Sequence, residues 1–246
     1  MTGEIRALKL HVMETEKCDL SCAGCYLKEP REDGLDWIQI RSEYLAKVDK
    51  LDEIGSAFYL NSLDRNAGEA MERYHKFLGL FQQIFHPDLL HKALVTDSIT
   101  ATRMDWEEPA LAGFNEFWAS CRNLSSVKHL VNADRKWGFL FTVGTDSLAM
   151  LDFLFDIPGV KIDLNIRKEY SATDLTQYYQ ILQIGLRLKP QDVRGDNCMN
   201  YKLNKRDCSK PNGFLEMTTF LDGKKRFHLC AYPSNKCRCT MRSKNG

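Results

Sequence analysis

Three cysteines lie close together near the start of the chain. Cys18, Cys22 and Cys25 fall within the stretch EKCDLSCAGCYL, spaced C-x3-C-x2-C. A structural zinc site normally closes with four ligands, commonly from paired C-x2-C units. Three local thiolates instead suit a [4Fe–4S] cluster in which cysteines hold three irons and the fourth iron is left for a substrate or cofactor. A zinc-binding loop and a loop of free thiols are the alternatives.

A second group of five cysteines lies in the last part of the chain, at Cys198, Cys208, Cys230, Cys237 and Cys239. Cys208 and Cys230 flank the dipeptide Asp222-Gly223, which is a strong signal for a tight hairpin turn. Residues 198–246 contain eleven Lys or Arg and three Asp or Glu, a net charge of +8, whereas the whole chain carries +1. We therefore expect a boundary near residue 190 and a C-terminal part that meets something anionic.

Composition limits the class of protein and its compartment. The chain has 246 residues, 43% hydrophobic and 27% charged, which suits one large domain or one domain with a small appendage and excludes a disordered chain. The sequence contains no apolar run of about 18 residues, so we expect no membrane-spanning helix. The first residues, MTGEIRALKL, lack the apolar segment of a signal peptide. We expect a cytoplasmic protein whose nine cysteines serve metal or redox chemistry rather than structural disulfides.

Strand and helix patterns alternate about six times before Pro190. Strands are predicted at 8–13, 56–62, 92–98, 116–121, 136–147 and 160–166. Helices are predicted from an apolar face at 44–54 followed by Gly55, from Met71, Tyr74, Leu78, Phe81 and Phe85 before Pro87, around Trp106, and at 124–132, 147–157 and 171–189. This order is typical of parallel strands covered by helices. The pattern alone does not separate an open doubly wound sheet from an incomplete barrel.

The cysteine motif, the aromatic Tyr26 that follows it, its position after strand one and the six β/α units together resemble the radical S-adenosylmethionine superfamily. The resemblance covers roughly residues 5–190. It implies a partial (β/α)6 TIM-type barrel over residues 1–190 and a [4Fe–4S] cluster on Cys18, Cys22 and Cys25 that binds S-adenosylmethionine, with Tyr26 near the adenine. It also implies reductive cleavage to a 5′-deoxyadenosyl radical that abstracts hydrogen from a substrate, driven by a reductant such as flavodoxin or ferredoxin.

The resemblance suggests further cofactor contacts at strand ends. Where the family often has Gly-Gly-Glu after strand two, this chain has polar residues without the glycine pair, at Asn61, Ser62 and Asp64. Where strand three often ends in Thr-Asn-Gly, the chain has Thr96, Asp97 and Ser98. Ser120 stands where ribose contacts commonly fall, and Gly144 in TVGTD resembles the segment that flanks adenine. Each of these residues could equally serve a turn or a helix cap.

The C-terminal cysteines resemble the opening of SPASM and Twitch extensions, which hold auxiliary iron–sulfur clusters. Fourteen residues separate Cys208 from Gly223, six separate Gly223 from Cys230, and the short tail is more similar to Twitch. The resemblance implies one auxiliary [4Fe–4S] cluster in residues 191–246, with Cys198 as a spare ligand beside Cys208, Cys230, Cys237 and Cys239. A zinc knuckle is the alternative. Nearby cations would raise the potential of such a cluster.

Cys121 ends the fourth strand and is a candidate for giving a hydrogen atom to a product radical, although a lone strand cysteine is more often a small core residue. The basic tail favours a nucleotide or nucleic-acid base as substrate. A peptide or an aminoglycoside-type sugar is the alternative substrate. Two other classes stay open, namely a non-catalytic zinc-binding interaction module and an iron–sulfur electron carrier.

Overall fold

The computed structural model describes residues 7–13, 53–60, 71–72, 74–75, 78–79, 90–105, 111–166, 170–195, 214–220 and 225–228. Within this part of the chain, strands and helices form an α/β fold around one sheet. The α/β class and the alternation expected from the sequence are confirmed.

Six parallel strands form the centre of the sheet. They are β1 (Ala7–Met13), β2 (Glu53–Tyr59), β3 (Leu90–Asp97), β4 (Glu116–Ser120), β5 (Trp137–Val143) and β6 (Ile162–Ile166). Each pairs in parallel with the next along the chain. A doubly wound sheet reverses its strand order near the middle, whereas a barrel adds strands in one direction. The order from β1 to β6 runs in one direction and is compatible with a partial barrel.

Three further strands extend the sheet at its two edges. β7 (Val193–Gly195) pairs in parallel with β6, and β8 (Phe214–Phe220) pairs in parallel with β1. β9 (Lys225–His228) pairs antiparallel with β8. The complete order is β7-β6-β5-β4-β3-β2-β1-β8-β9. The strand that precedes the first cysteine group therefore lies inside the sheet, between β2 and β8.

Four helices are described over their whole length, namely α1 (Ser98–Ala101), α2 (Leu124–Val131), α3 (Leu148–Asp156) and α4 (Ala172–Leu188). The Asn123 side chain accepts the Ser126 amide and starts α2. Ser171 and Asp174 form a capping box that starts α4. The Lys189 ammonium donates to the carbonyl of Leu154 at 3.1 Å and to that of Ile157, so a cation closes the end of α3. Within the described residues, no helix has the length and apolarity needed to cross a bilayer.

Alternate strand residues pack against the helices and form the core. On β5 these are Trp137, Phe139, Phe141 and Val143, all buried. They meet buried residues of the helices, among them Leu130, Leu154, Tyr178 and Ile181. The intervening strand residues, such as Leu140 and Thr142, point to the other side of the sheet because side chains alternate along a strand. This second side is called the opposite face below.

The predicted helix over 71–85 is confirmed for its described residues. Residues 71–72, 74–75 and 78–79 are helical, and Met71, Tyr74 and Leu78 are buried. The Tyr74 ring lies 4.7 Å from the ring of Phe58 and 5.3 Å from that of Phe114, centroid to centroid. This helical face therefore packs onto the sheet as the periodicity predicted. Phe81, Phe85 and Pro87 lie outside the described residues.

Several predictions near strand boundaries were wrong. The fifth strand, predicted to run to residue 147, ends at Val143, because the chain turns at Gly144. Ile54 was assigned to a helical face and Gly55 to the position after its end, but both belong to β2, where Gly55 pairs with Lys9 and His91. An isolated apolar residue fits either period, and pairing with two neighbouring strands decides for the strand. The short strand β7 follows Pro190, where only irregular chain and one hairpin were expected. The hairpin itself is confirmed by the pairing of β8 with β9, and its Asp222-Gly223 turn lies outside the described residues.

Candidate functional site

The carboxyl ends of the parallel strands define the candidate site. β1 ends at Met13, five residues before Cys18. β3 and β4 end at the same edge with Asp97 and Ser120, which are paired in register. Binding sites of parallel α/β sheets lie at this edge. The sheet thus brings the ends of β3, β4 and β5 to the edge from which the chain continues towards the first cysteine group.

Twelve predicted site residues lie outside the described part of the chain: Cys18, Cys22, Cys25, Tyr26, Asn61, Ser62, Asp64, Cys198, Cys208, Cys230, Cys237 and Cys239. Among the described residues, no three His, Cys, Asp or Glu side chains come together as a metal site. The two predicted ligand sets therefore stay predictions. The six predicted residues that are described all lie at or just beyond the ends of β3, β4 and β5.

Thr96, Asp97 and Ser98 form the turn from β3 into α1, and all three are buried. The Thr96 hydroxyl donates to the Leu60 carbonyl at 2.9 Å. Asp97 Oδ1 accepts the amides of Ile99 and Thr100 at 3.0 Å each, and Oδ2 accepts the Thr100 hydroxyl. Asp97 is therefore the N-cap of α1. These side chains already have structural partners, and their contact with a cofactor stays a prediction.

Ser98 links the ends of β3 and β4 through a chain of hydrogen bonds. The Ser126 hydroxyl donates to the Asn123 carbonyl at 3.0 Å, so the Ser98 hydroxyl donates to Ser126 Oγ at 2.7 Å. Ser98 Oγ in turn accepts the amide of Arg122 at 3.1 Å. Each buried hydroxyl thereby both donates and accepts. This chain fixes the backbone that follows β4.

Cys121 lies one residue beyond β4 and is 1% exposed. Its amide donates to the Leu140 carbonyl at 3.0 Å, and its side chain belongs to the hydrophobic core with Phe117 and Ala119. Burial, and secondarily the nearby charge of Asp146, raise the pKa of the thiol, so it stays protonated. This position agrees with the interpretation of a small core cysteine. Its role as a hydrogen-atom donor stays a prediction.

The segment after β5 is a tight turn built around Gly144. Gly144 adopts a φ of 84°, the left-handed region that favours glycine. The Thr142 carbonyl accepts the amides of Thr145 at 3.1 Å and Asp146 at 2.9 Å, while Asp146 Oδ2 accepts the Thr142 amide at 2.6 Å. Burial raises the pKa of the Asp146 carboxyl to about 6, although this hydrogen bond and the charge of Arg122 oppose the rise. Gly144 therefore has a conformational role, and its contact with adenine stays a prediction.

Arg122 is a site residue that the sequence reasoning missed. It follows Cys121 directly and is half-buried, and its charge acts on both Cys121 and Asp146. Its Nε atom is buried and has no hydrogen-bond partner within the part of the chain that the structure describes. Asp146 was missed as well. The only sequence signal was the polar character of both residues directly after strand ends, which a sequence offers at many positions.

The opposite face carries partly exposed side chains near the carboxyl ends of the strands. They are Ser120, Leu140, Thr142 and Asn165, and the register pairs Ser120 with Leu140 and Thr142 with Asn165. Thr142 and Asn165 were not among the predicted site residues. This part of the face offers three polar side chains that are accessible and lie on adjacent strands.

The amino-terminal part of the opposite face is filled by an aromatic ring and charges. The Trp118 indole lies over Gly138, where an added Cβ would come within 2.5 Å of the ring. The Arg194 guanidinium stacks on this ring at 4.5 Å and Arg194 Nε contacts Asp163 at 3.1 Å. Trp118 Nε1 donates to Glu116, which also pairs with Lys161 at 3.0 Å. The accessible part of the face is therefore its carboxyl-terminal half.

The strand directions show at which end of β1 the chain continues towards each cysteine group. β8 starts six residues after Cys208, at the amino end of β1, because Phe214 pairs with Ala7. β9 runs back towards the same end, where His228 pairs with Glu216, and Cys230 follows two residues later. Cys18 instead follows the carboxyl end of β1. The chain thus leaves the described strands towards the two cysteine groups at opposite ends of β1.

Comparison with known proteins identifies no relative of this chain. No family model matches it, and neither does any curated protein or any solved structure. Function is therefore inferred from the cysteine motifs and from the geometry of the strand ends.

Proposed function

We propose that the protein is a radical S-adenosylmethionine enzyme with one auxiliary iron–sulfur cluster, built on a partial (β/α)6 barrel. The observation that carries the proposal is the position of the C-x3-C-x2-C-Y motif. It begins five residues beyond the carboxyl end of β1, an inner strand of a sheet whose six parallel strands follow the chain order. The cysteine motif, its position after β1 and the order of the six strands are separate features, and each supports the same proposal.

The donor set fits an open iron–sulfur cluster. Cys18, Cys22 and Cys25 would supply three thiolates, and thiolates are the ligands that such clusters take. When bound with S-adenosylmethionine, the cluster would supply the electron that splits the cofactor into methionine and a 5′-deoxyadenosyl radical. Catalysis also needs an external reductant such as flavodoxin or ferredoxin.

The described residues would bind and orient the cofactor at the carboxyl edge. Ser120, Thr142 and Asn165 are polar, partly exposed and on adjacent strands, so they are available to hydrogen-bond ribose and adenine. The Thr96–Ser98 turn and the Ser98–Ser126 pair hold the ends of β3 and β4 in place. Trp118, with the Arg194 guanidinium stacked on its ring, occupies the far end of the same face. Rigid strand ends of this kind preorganise a binding site.

The C-terminal cysteines would form a separate site. Cys208 and Cys230 adjoin the hairpin at the amino end of β1, whereas the first group adjoins its carboxyl end. Seven residues of strand separate these ends by about 20 Å at 3.3 Å per residue. The separation of the two points at which the chain leaves the strands favours two clusters, each with its own ligands. Cys208, Cys230, Cys237 and Cys239 are the proposed ligands, with Cys198 as the spare.

A nucleotide or a nucleic-acid base is the proposed substrate class, because residues 198–246 carry a net charge of +8. A neutral peptide or an aminoglycoside-type sugar is the second candidate. Binding of a nucleic acid should weaken steeply as salt rises, since each neutralised phosphate releases counterions. Binding of a neutral peptide should be nearly independent of salt.

Cofactor cleavage tests the proposal directly. The protein is reconstituted anaerobically with iron and sulfide, reduced, and incubated with S-adenosylmethionine, and 5′-deoxyadenosine is measured. We expect a brown protein that forms 5′-deoxyadenosine, and Cys22→Ala should abolish its formation. A colourless protein with bound zinc would support the zinc-binding interaction module instead. A brown protein that leaves the cofactor intact would support an electron carrier.

Iron content tests the second cluster. A triple variant that lacks Cys18, Cys22 and Cys25 should retain about four irons if the C-terminal cysteines hold their own [4Fe–4S] cluster. A variant that lacks Cys208 and Cys230 should lose these irons and keep the first set. Loss of all iron in the triple variant would refute the independent second site.

A further inference from the structure

Arg122 carries a buried hydrogen-bond donor that the described residues leave without a partner. Its backbone amide is used by Ser98 Oγ, but Nε of the guanidinium is buried and makes no hydrogen bond. More than nine-tenths of buried polar groups in proteins have a hydrogen-bond partner, so this unpaired donor is a candidate contact for a bound molecule. A donor on a charged group is the costliest kind to leave unpaired.

The side chain of Arg122 also lacks an ion-pair partner among the described residues. Within the described part of the chain, Arg122 takes part in no ion pair; Glu116 and Asp163 pair with Lys161 and Arg194. Asp146 is near enough to feel the charge of Arg122, yet its Oδ2 is engaged by the Thr142 amide. The guanidinium therefore retains both charge and hydrogen-bonding capacity.

The location of Arg122 suits a ligand. It follows β4 at the carboxyl edge, beside half-exposed Ser120 and near the turn of residues 142–146. The hydrogen bond from the Arg122 amide to Ser98 Oγ, together with the Ser98–Ser126 pair, fixes the backbone from which this side chain extends. A guanidinium recognises planar or tetrahedral oxyanions by paired hydrogen bonds.

We propose that Arg122 binds an oxyanion, the phosphate or carboxylate group of a small-molecule ligand, at the carboxyl edge between β4 and β5. The site goes beyond radical chemistry, because it requires neither a cluster nor S-adenosylmethionine. If the protein is a radical enzyme, the oxyanion belongs to the substrate or to a group that positions it.

Anion binding to the full-length protein tests this site. Inorganic phosphate and acetate are titrated separately by calorimetry at constant ionic strength, without reductant or S-adenosylmethionine. We expect saturable binding of at least one anion, and Arg122→Gln should weaken it about 10- to 100-fold because a charge-assisted hydrogen bond is lost. Binding of phosphate alone identifies a phosphate ligand, and binding of acetate alone identifies a carboxylate ligand.

Three further variants make the result specific. Arg187→Gln removes an exposed arginine from the last turn of α4 and should bind like the wild type. Arg122→Lys keeps the charge but lacks the Nε donor, so its affinity should fall between those of the wild type and Arg122→Gln. Asp146→Asn should bind the anion more tightly, because it removes a neighbouring negative charge. Equal affinity of the wild type and Arg122→Gln, or no binding of either anion by the wild type, would overturn the proposal. Such a result would leave the proposed radical chemistry standing, because that chemistry is tested separately by the formation of 5′-deoxyadenosine.

Discussion

Asp146 shows how one residue links the site to stability. Burial raises the pKa of its carboxyl to about 6, above the value near 4 that an unfolded chain gives. Protonation therefore favours the folded state. The resulting stability is fully present below about pH 4 and is lost as pH rises through about 6.

Asp146→Asn should remove this pH dependence. The amide oxygen can still accept the Thr142 amide but cannot ionise, so the variant should gain about 1–3 kcal/mol relative to the wild type between pH 4 and pH 7. Urea unfolding of both proteins at pH 4, 5, 6 and 7 measures the difference. Asp134→Asn, at an exposed position between α2 and β5, is the control. A difference that does not change with pH would contradict the assignment.

Cys121 should resist alkylation in the folded protein. The thiolate is the reactive form, and both the burial of Cys121 and its raised pKa disfavour it. When the native protein is treated with iodoacetamide at pH 7.5, mass spectrometry should find the Cys121 peptide unmodified. After unfolding in urea, the same treatment should modify Cys121. Labelling of native Cys121 as fast as a free thiol in solution would show that the thiol is accessible, which its use as a hydrogen-atom donor would require.

At the scale of elements, one close contact fixes how Trp118 lies on the sheet. A Cβ at Gly138 would come within 2.5 Å of the Trp118 ring, so β5 needs glycine at this position. The ring in turn supports the Arg194 guanidinium from β7. The arrangement joins β4, β5 and β7 at the amino-terminal half of the opposite face.

Gly138→Ala should therefore lower the free energy of unfolding by about 1–3 kcal/mol, as overpacking in a core does. Gly79→Ala is the matched control, because Gly79 is helical and an added Cβ would meet nothing within 4 Å. That change should be neutral or stabilising by up to about 1 kcal/mol. Denaturant unfolding of both variants decides. Equal effects of the two substitutions would refute the contact with Trp118.

Lys189 joins the ends of two helices. Lys189→Met keeps the aliphatic stem but removes the donor to the Leu154 and Ile157 carbonyls. We expect the free energy of unfolding to fall by about 1–2 kcal/mol, since a cation at a partly buried helix end contributes about this much stability. Lys136→Met, at an exposed position before β5, is the control and should change stability by less than about 0.5 kcal/mol. Unchanged thermal unfolding of Lys189→Met would contradict the role of the ammonium.

At the scale of the whole molecule, β8 covers one edge of β1. A chain that ends at Gly195 would lack β8 and β9, and β1 would become an edge strand with unpaired backbone groups. Such edges promote association with other chains. We expect the shortened protein to be less stable and to associate as its concentration rises, measured by light scattering and urea unfolding. A stable monomer would show that residues 1–195 fold without the hairpin.

Much of the fold was predictable because its signals are local. The strands at β3 to β6 and the helices α2, α3 and α4 are apolar segments, and α4 is bounded by Ser171 at its start and Pro190 beyond its end; the structure confirms these elements. The start of β2 was not predictable, since Ile54 and Gly55 fit a helix end equally well. The short β7 has too few residues to give a periodic signal. The pairing of β8 with β1 joins residues about 200 positions apart, and no local pattern records it.

The sequence by itself determined the three-thiol motif, its place after strand one, the α/β alternation and the basic, cysteine-containing C-terminal part, because residue types, spacing and periodicity are properties of the chain. Only the tertiary structure decided the order of the strands, the burial of Cys121 and the orphaned donor of Arg122. It also decided that the hairpin returns to the amino end of β1. These features depend on which distant segments meet, and long-range pairing and burial set that outcome.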